Sequence, residues 1–162
     1  MTRPTVIDSW EAVDRRQDVA VMRSLLADEV RMISPLTDAF SFEGRDEVMA
    51  VFESAFELLE DITVHKITGD GQDWALYGKA TLGGHNLEDI QWLHLNHEGQ
   101  IDEVTMFIRP VAAATEMLAR IGPKLAARGL MGKRSAGAAS FLAGMPAAQL
   151  RMAEGAIMPR LK

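Results

Sequence analysis

Between Ile7 and Ala27 the apolar residues Ile7, Trp10, Val13, Val21, Leu25 and Leu26 recur at helical spacing, with Asp8 or Ser9 placed to cap the start. The polar pair Gln17-Asp18 interrupts this stripe and predicts two short helices, the second capped by Asp18. Val30 to Leu36 reads as a strand closed by Ser34-Pro35, and Ala39 to Glu43 as a shorter one before the punctuating Gly44. From Arg45 to Leu59, the residues Val48, Phe52, Phe56 and Leu59 form the apolar face that a helix buries against a sheet. Beyond it the hydrophobic period changes from about 3.6 to about 2. Ile62 to Thr68, Trp74 to Leu82, Leu87 to Asn96 and Ile101 to Arg109 read as four consecutive strands. The separators Gly69-Asp70-Gly71, Gly83-Gly84 and His97-Glu98-Gly99 are hairpin turns. Pro110 is placed to begin a helix over Val111 to Leu118, with a break at Gly122-Pro123 and a further turn or two to Arg128. Helices first and hairpin-linked strands later predict an α+β fold, with helices packed on one face of a curved antiparallel sheet.

Composition changes this picture at the C-terminus. The chain has 162 residues, 48% hydrophobic and 25% charged, which suits one globular domain. The periodic core runs through about residue 125, and with the last helical turn residues 1–128 are expected to be the domain and residues 129–162 an extension. From Met131 onward there are eight alanines and four methionines, with Lys133, Arg134, Arg151, Arg160 and Lys162 against the single acid Glu154. The net charge of −6 therefore divides into +4 for that extension and −10 for the rest. An acidic body repels phosphates and anionic lipid, so neither nucleic acid nor membrane is an expected partner. Five scattered cations fall short of a dense polybasic patch, and the expectation is a C-terminal helical extension, a weak amphipathic helix that is flexible or packed on a partner. With no apolar leader before Trp10 and no membrane-length apolar run, a cytoplasmic location is expected. Zero cysteines exclude disulfides, thiolate metal sites and cysteine nucleophiles.

Four strings in order carry a family resemblance: Asp28-Glu29-Val30-Arg31-Met32-Ile33-Ser34-Pro35, Phe42-Glu43-Gly44-Arg45, Asn96-His97-Glu98-Gly99-Gln100-Ile101 and Phe107-Ile108-Arg109-Pro110. Over roughly residues 5 to 125 the chain resembles the nuclear transport factor 2-like superfamily, in its polyketide-cyclase-like, ketosteroid-isomerase-like branch. That resemblance implies a cone-shaped, cystatin-like α+β barrel whose helices and concave sheet enclose an apolar cavity. It leaves function open, because such folds serve isomerases, cyclases, dehydratases, epoxide hydrolases and noncatalytic carriers.

Strand phase then selects the residues facing the cavity. Set against ketosteroid isomerase, the catalytic carboxylate position before the strand-ending proline is Ser34, the tyrosine position is Trp10 and the protonated acid's position is Gln91. The resemblance thus implies that Trp10 and Gln91 donate hydrogen bonds to a substrate oxygen and that Ser34 orients it, without the isomerase's base. Met106 stands where limonene epoxide hydrolase needs an acid, which disfavours epoxide hydrolysis. Met32, Phe52, Phe56, Leu93, Val104, Met106 and Ile108 are expected to supply an oily wall. Two carboxylates remain in phase as candidate proton carriers: Asp14, one helical turn after Trp10, and Asp89, two residues before Gln91. The alternative is that Asp14 meets solvent or a loop and that Asp89, beside Glu88, sits at a wet rim.

The remaining chemistry is sparse. His94 and His97 fall on opposite faces, and His65 and His85 lack partners at ligand spacing, so no metal site is expected. Arg109 is placed to pair with a carboxylate, and Asp70-Gly71-Gln72-Asp73 reads as a turn. No cofactor motif is present in the chain. The expected partner is a small apolar molecule with a polar oxygen, acted on by acid/base isomerisation, cyclisation or dehydration; the alternatives are a noncatalytic binder and a dimeric interaction module. Trp92, His94 and Phe107 on the convex face predict a homodimer.

Overall fold

The computed structural model describes residues 2–35, 40–130 and 146–153. Leu36 and Ala39, expected strand ends, and most of the Ala/Met-rich extension lie outside the described residues. In chain order the elements are α1 (Thr5–Arg16), α2 (Val19–Leu25), β1 (Leu26–Ile33), β2 (Ser41–Glu43), α3 (Arg45–Phe56), β3 (Leu59–Asp70), β4 (Asp73–Leu82), β5 (His85–Leu95), β6 (Ile101–Arg109) and α4 (Val111–Ala127). The fold is α+β, with the strands in one curved, unclosed six-stranded sheet of order β2-β1-β6-β5-β4-β3. Every neighbouring pair is antiparallel except β1–β6, which is parallel and joined by a long crossover through β2, α3 and the hairpin strands.

The local reasons are legible. Gln17 ends α1 in the left-handed region and Asp18 accepts a hydrogen bond from the Val21 N–H, so the polar interruption does separate two helices. The first helix starts earlier than its expected caps: Pro4 occupies the N-cap, while Asp8 lies in the first turn and pairs with Arg3. β1 likewise begins at Leu26 rather than Val30, since Leu26, Ala27 and Val30 are all drawn into the core.

The expected break at Gly122-Pro123 does not occur. α4 runs through both residues, with Met117, Ile121 and Leu125 buried along one face. A proline ring inside a helix meets the carbonyl four residues back and the Cβ of the preceding residue, and Gly122 removes the second of these clashes. Burial of that stripe outweighs the missing amide.

Helix α3 packs on β1, α1 on β3, and α4 on β5 and β6. The core between them is led by the fully buried Ile7, Trp10, Met22, Leu26, Leu93, Ile101 and Val104. Register shifts in β3, between Glu60 and Thr63 and between Val64 and Lys66, place bulges that bend the sheet around this core. Asp61, at φ 55°, takes up the first; Asp tolerates this conformation better than most side chains. Segment 146–153 is helical and lies beside α4, with Ala147 buried and Arg151 paired to Glu116. Among the described residues, no helix is long and apolar enough to cross a membrane.

Candidate functional site

The helices do not fill the concave face. A cavity of about 330 Å³ remains, bounded by Met32 and Ser34 of β1 and its end, Phe52 and Phe56 of α3, Met106 and Ile108 of β6, and Met117, Ile121 and Leu125 of α4. Its wall is almost wholly apolar. The exceptions are Ser34 and three residues that meet at one end: Asp14 from α1, and Asp89 and Gln91 from β5.

These three are joined through Gln91. Its Nε2 donates to Asp14 Oδ2 at 3.0 Å and to Asp89 Oδ2 at 3.2 Å, while its Oε1 accepts from Trp10 Nε1 at 2.7 Å. The indole N–H can only donate, so it fixes which end of the amide is oxygen and turns both amide N–H groups toward the carboxyls. Trp10 is itself held edge-to-face on Phe52, with ring centroids 5.3 Å apart. Chain segments about eighty residues apart thus set two acids on one neutral amide, with no Lys, Arg or His among the described lining residues.

The consequence is electrostatic. Burial pushes the Asp14 carboxyl up to about 7, and the nearby Asp89 charge adds to that, while the Gln91 hydrogen bond opposes it. The position of Asp14 in the last turn of α1, where carbonyl oxygens face outward, also disfavours an anion. Asp89, half-buried, is raised too, again chiefly by burial. Burial thus favours the protonated form of both acids, and both stand on one amide. With one member protonated and the other ionised, such a pair can donate a proton at one carboxyl and accept one at the other.

The sequence expectations separate here. Asp14, Asp89, Gln91, Ser34, Met32, Phe52, Phe56, Met106 and Ile108 all line the cavity. Trp10, Leu93 and Val104 do not, and their expected places are corrected. Trp10 is fully buried behind the wall, with its N–H committed to Gln91. Leu93 and Val104 are in phase with the cavity, but they pair with each other one row beyond Gln91 and Met106, where the core is closed. Gln91 is at the wall, yet its two N–H groups point to carboxyls, so the expected Trp10–Gln91 donor pair for a substrate oxygen does not form. Sequence reading missed the contribution of α4. The spacing of Met117, Ile121 and Leu125 carried that signal, masked by the expected break at Pro123.

Outside the cavity, Arg109 pairs with Glu88 at 2.8 Å, and His94 Nδ1 lies 3.0 Å from Asp73 Oδ1. Among the described residues, no group of three or more His, Asp or Glu side chains is placed to hold a metal ion.

This architecture matches known proteins. A family model for the SnoaL-like domain matches residues 6–104, which include all but the first residue of α1, the whole of β5 and both cavity acids. The chain belongs to the SnoaL-like family. It is thereby a member of the nuclear transport factor 2-like superfamily. A search of curated proteins found no match. Among solved structures, an uncharacterised Silicibacter pomeroyi protein with a cystatin-like fold is 25% identical, covering 80% of this chain and 88% of that one at a TM-score of 0.67. A steroid delta-isomerase from Pseudomonas aeruginosa is 20% identical, covering 78% and 93% at a TM-score of 0.70. A de novo designed protein with a curved β-sheet, 15% identical over 78% and 99%, reaches a TM-score of 0.64. A designed chain and an isomerase thus share this backbone shape, so the fold by itself does not fix a function.

Proposed function

We propose that this SnoaL-like protein binds a small, largely apolar molecule with a carbonyl or hydroxyl oxygen and moves a proton on it, as in isomerisation, cyclisation or dehydration. The observation that carries this reading is the pair of carboxyls held on one amide at the end of an apolar cavity. The protonated member donates to the substrate oxygen, and the ionised member takes a proton from the adjacent carbon. A cofactor is not needed for either step. With no cation in the described lining, a ligand carboxylate or phosphate would face like charge, so neutral ligands are favoured.

The test uses a neutral polycyclic ketone such as progesterone and a carboxylic acid of similar size. Thermal shift is expected to register the ketone and not the acid. Incubation of protein and ketone in D2O should give deuterium at carbons beside the carbonyl, read by mass spectrometry. Asp14→Asn and Asp89→Asn should each lower that exchange on the order of 100-fold while ketone binding persists. Binding without exchange in the unsubstituted protein would make it a carrier; absence of binding by any apolar ketone would overturn the reading.

A homodimer through the convex sheet face belongs to the same proposal. Ile90, Trp92 and Phe107 are 39%, 48% and 54% exposed, and Ile90 stands directly across from Phe107 in the β5–β6 ladder. A contiguous apolar strip of this kind suits a second copy of the chain.

A further inference from the structure

We propose that Gly78 is the positioning residue for Asp89: the side chain it lacks is the space in which the Asp89 carboxyl stands, and so the reason both acids reach the same amide. Gly78 lies in the middle of β4, directly across from Asp89 on β5 and buried on the concave face. The inner row at this level runs Val64, Gly78, Asp89, Ile108 across four strands. Directly opposed side chains in an antiparallel pair compete for one volume. A Cβ built on Gly78 would lie 2.6 Å from Asp89 Oδ1, inside any tolerable carbon–oxygen contact, and 3.4 Å from the Thr63 carbonyl oxygen.

Backbone freedom does not explain this glycine. Among the described residues the glycines at positive φ are Gly44, Gly71, Gly83, Gly84, Gly99 and Gly129, and Gly78 is not among them. Glycine inside a strand weakens it through backbone entropy and lost packing. Here that cost leaves room for a carboxyl. Among the described residues the other glycine inside a strand, Gly69, is crowded by the Asp73 carbonyl oxygen and by the backbone and ring of Trp74, so its role is different. At Gly78 the nearest obstacle is the tip of a side chain that can rotate, and a substitution therefore displaces Asp89 before it disturbs the sheet.

Gly78→Ala is expected to fold and to turn the Asp89 carboxyl off Gln91. Asp14 and Asp89 are the titratable side chains among the described residues lining the cavity, so Asp14 is the reporter. With Asp89 moved away, its charge no longer opposes Asp14 ionisation, and the Asp14 midpoint, followed by carboxyl carbon NMR on the full chain, should fall. In an Asp89→Ala background the same substitution has no carboxyl to displace and should leave the Asp14 midpoint where Asp89→Ala alone puts it. An unchanged midpoint in Gly78→Ala overturns the proposal, as does a shift that persists in the Asp89→Ala background. Should Gly78→Ala fail to fold, the double variant must recover folding by circular dichroism; a double variant equally unfolded also overturns it. The titration depends only on geometry. Its catalytic consequence rests on the proton-transfer reading above: Gly78→Ala should then lower deuterium exchange on the order of 10- to 100-fold. Absence of exchange in the unsubstituted protein would sink that reading and leave the titration test standing.

Discussion

The two faces of β5 put similar groups to opposite ends. On the inner face Asp89 meets a neutral amide and a second acid, and both carboxyls rise above their ordinary range. On the outer face Trp92 and His94 both bond to Asp73 of the neighbouring strand; the His94 and Trp92 hydrogen bonds lower Asp73, and Asp73 raises His94. The two faces thus differ in what surrounds an acid: a hydrogen-bonding imidazole and indole at an exposed surface outside, an apolar cavity inside. Where donors match the charge, the ionised form is favoured; where an apolar cavity supplies only one shared amide, the balance moves toward the protonated form.

Breaking the inner arrangement should have the largest effect. A carboxyl raised on folding binds its proton more tightly in the folded chain, so its contribution to stability is present in full below the unfolded value near 3.8 and is lost as pH rises through about 7. Over that window Asp14 should remove on the order of 4 kcal/mol, and Asp14→Asn should flatten the profile and be the more stable protein at pH 8. Urea unfolding at pH 5 and pH 8, between which roughly 3 kcal/mol of that loss falls, checks this; parallel losses in both proteins would contradict it.

The outer face should respond through association. Phe107→Asp places a charge in the exposed strip without touching the cavity. If two copies meet there, light scattering at micromolar concentration should change from dimer to monomer, an effect of roughly 2 kcal/mol or more on association. A monomeric unsubstituted chain would remove the interface. The smallest effect belongs to His94→Ala. The raised His94 contributes below about 6.5 and loses that contribution as pH rises through its folded value, and because the pair is largely exposed the change should stay within ~0.5 kcal/mol and fade with salt. A larger, salt-independent loss would show that this face is less solvated than its exposure indicates.

Much of the cavity was readable because strand alternation is strict. Once Ser34-Pro35 and the hairpin turns set the phase, Met32, Asp89, Gln91, Met106 and Ile108 had to share a face. Phase alone could not say where the cavity ends along a strand, which is why Leu93 and Val104 were misplaced by one row. Nor could it say that Trp10 spends its donor on Gln91, since that bond joins α1 to β5 across 81 residues. The course of α4 through Pro123 depended on a burial gain that local propensity does not contain.

By itself the sequence determined the α+β order, the inward phase of the strands, the acidic body with a basic extension, and a chemical inventory of carboxyls, amide, hydroxyl and indole. Those follow from local periodicity and composition, which act over a few residues. Only the tertiary structure decided which members of that inventory meet: that Gln91 binds both acids, that Trp10 orients it, and that a glycine across the strand leaves Asp89 its space. The reason is that hydrogen bonds and desolvation depend on distances of a few ångströms between distant segments, and periodicity fixes a face without fixing a distance.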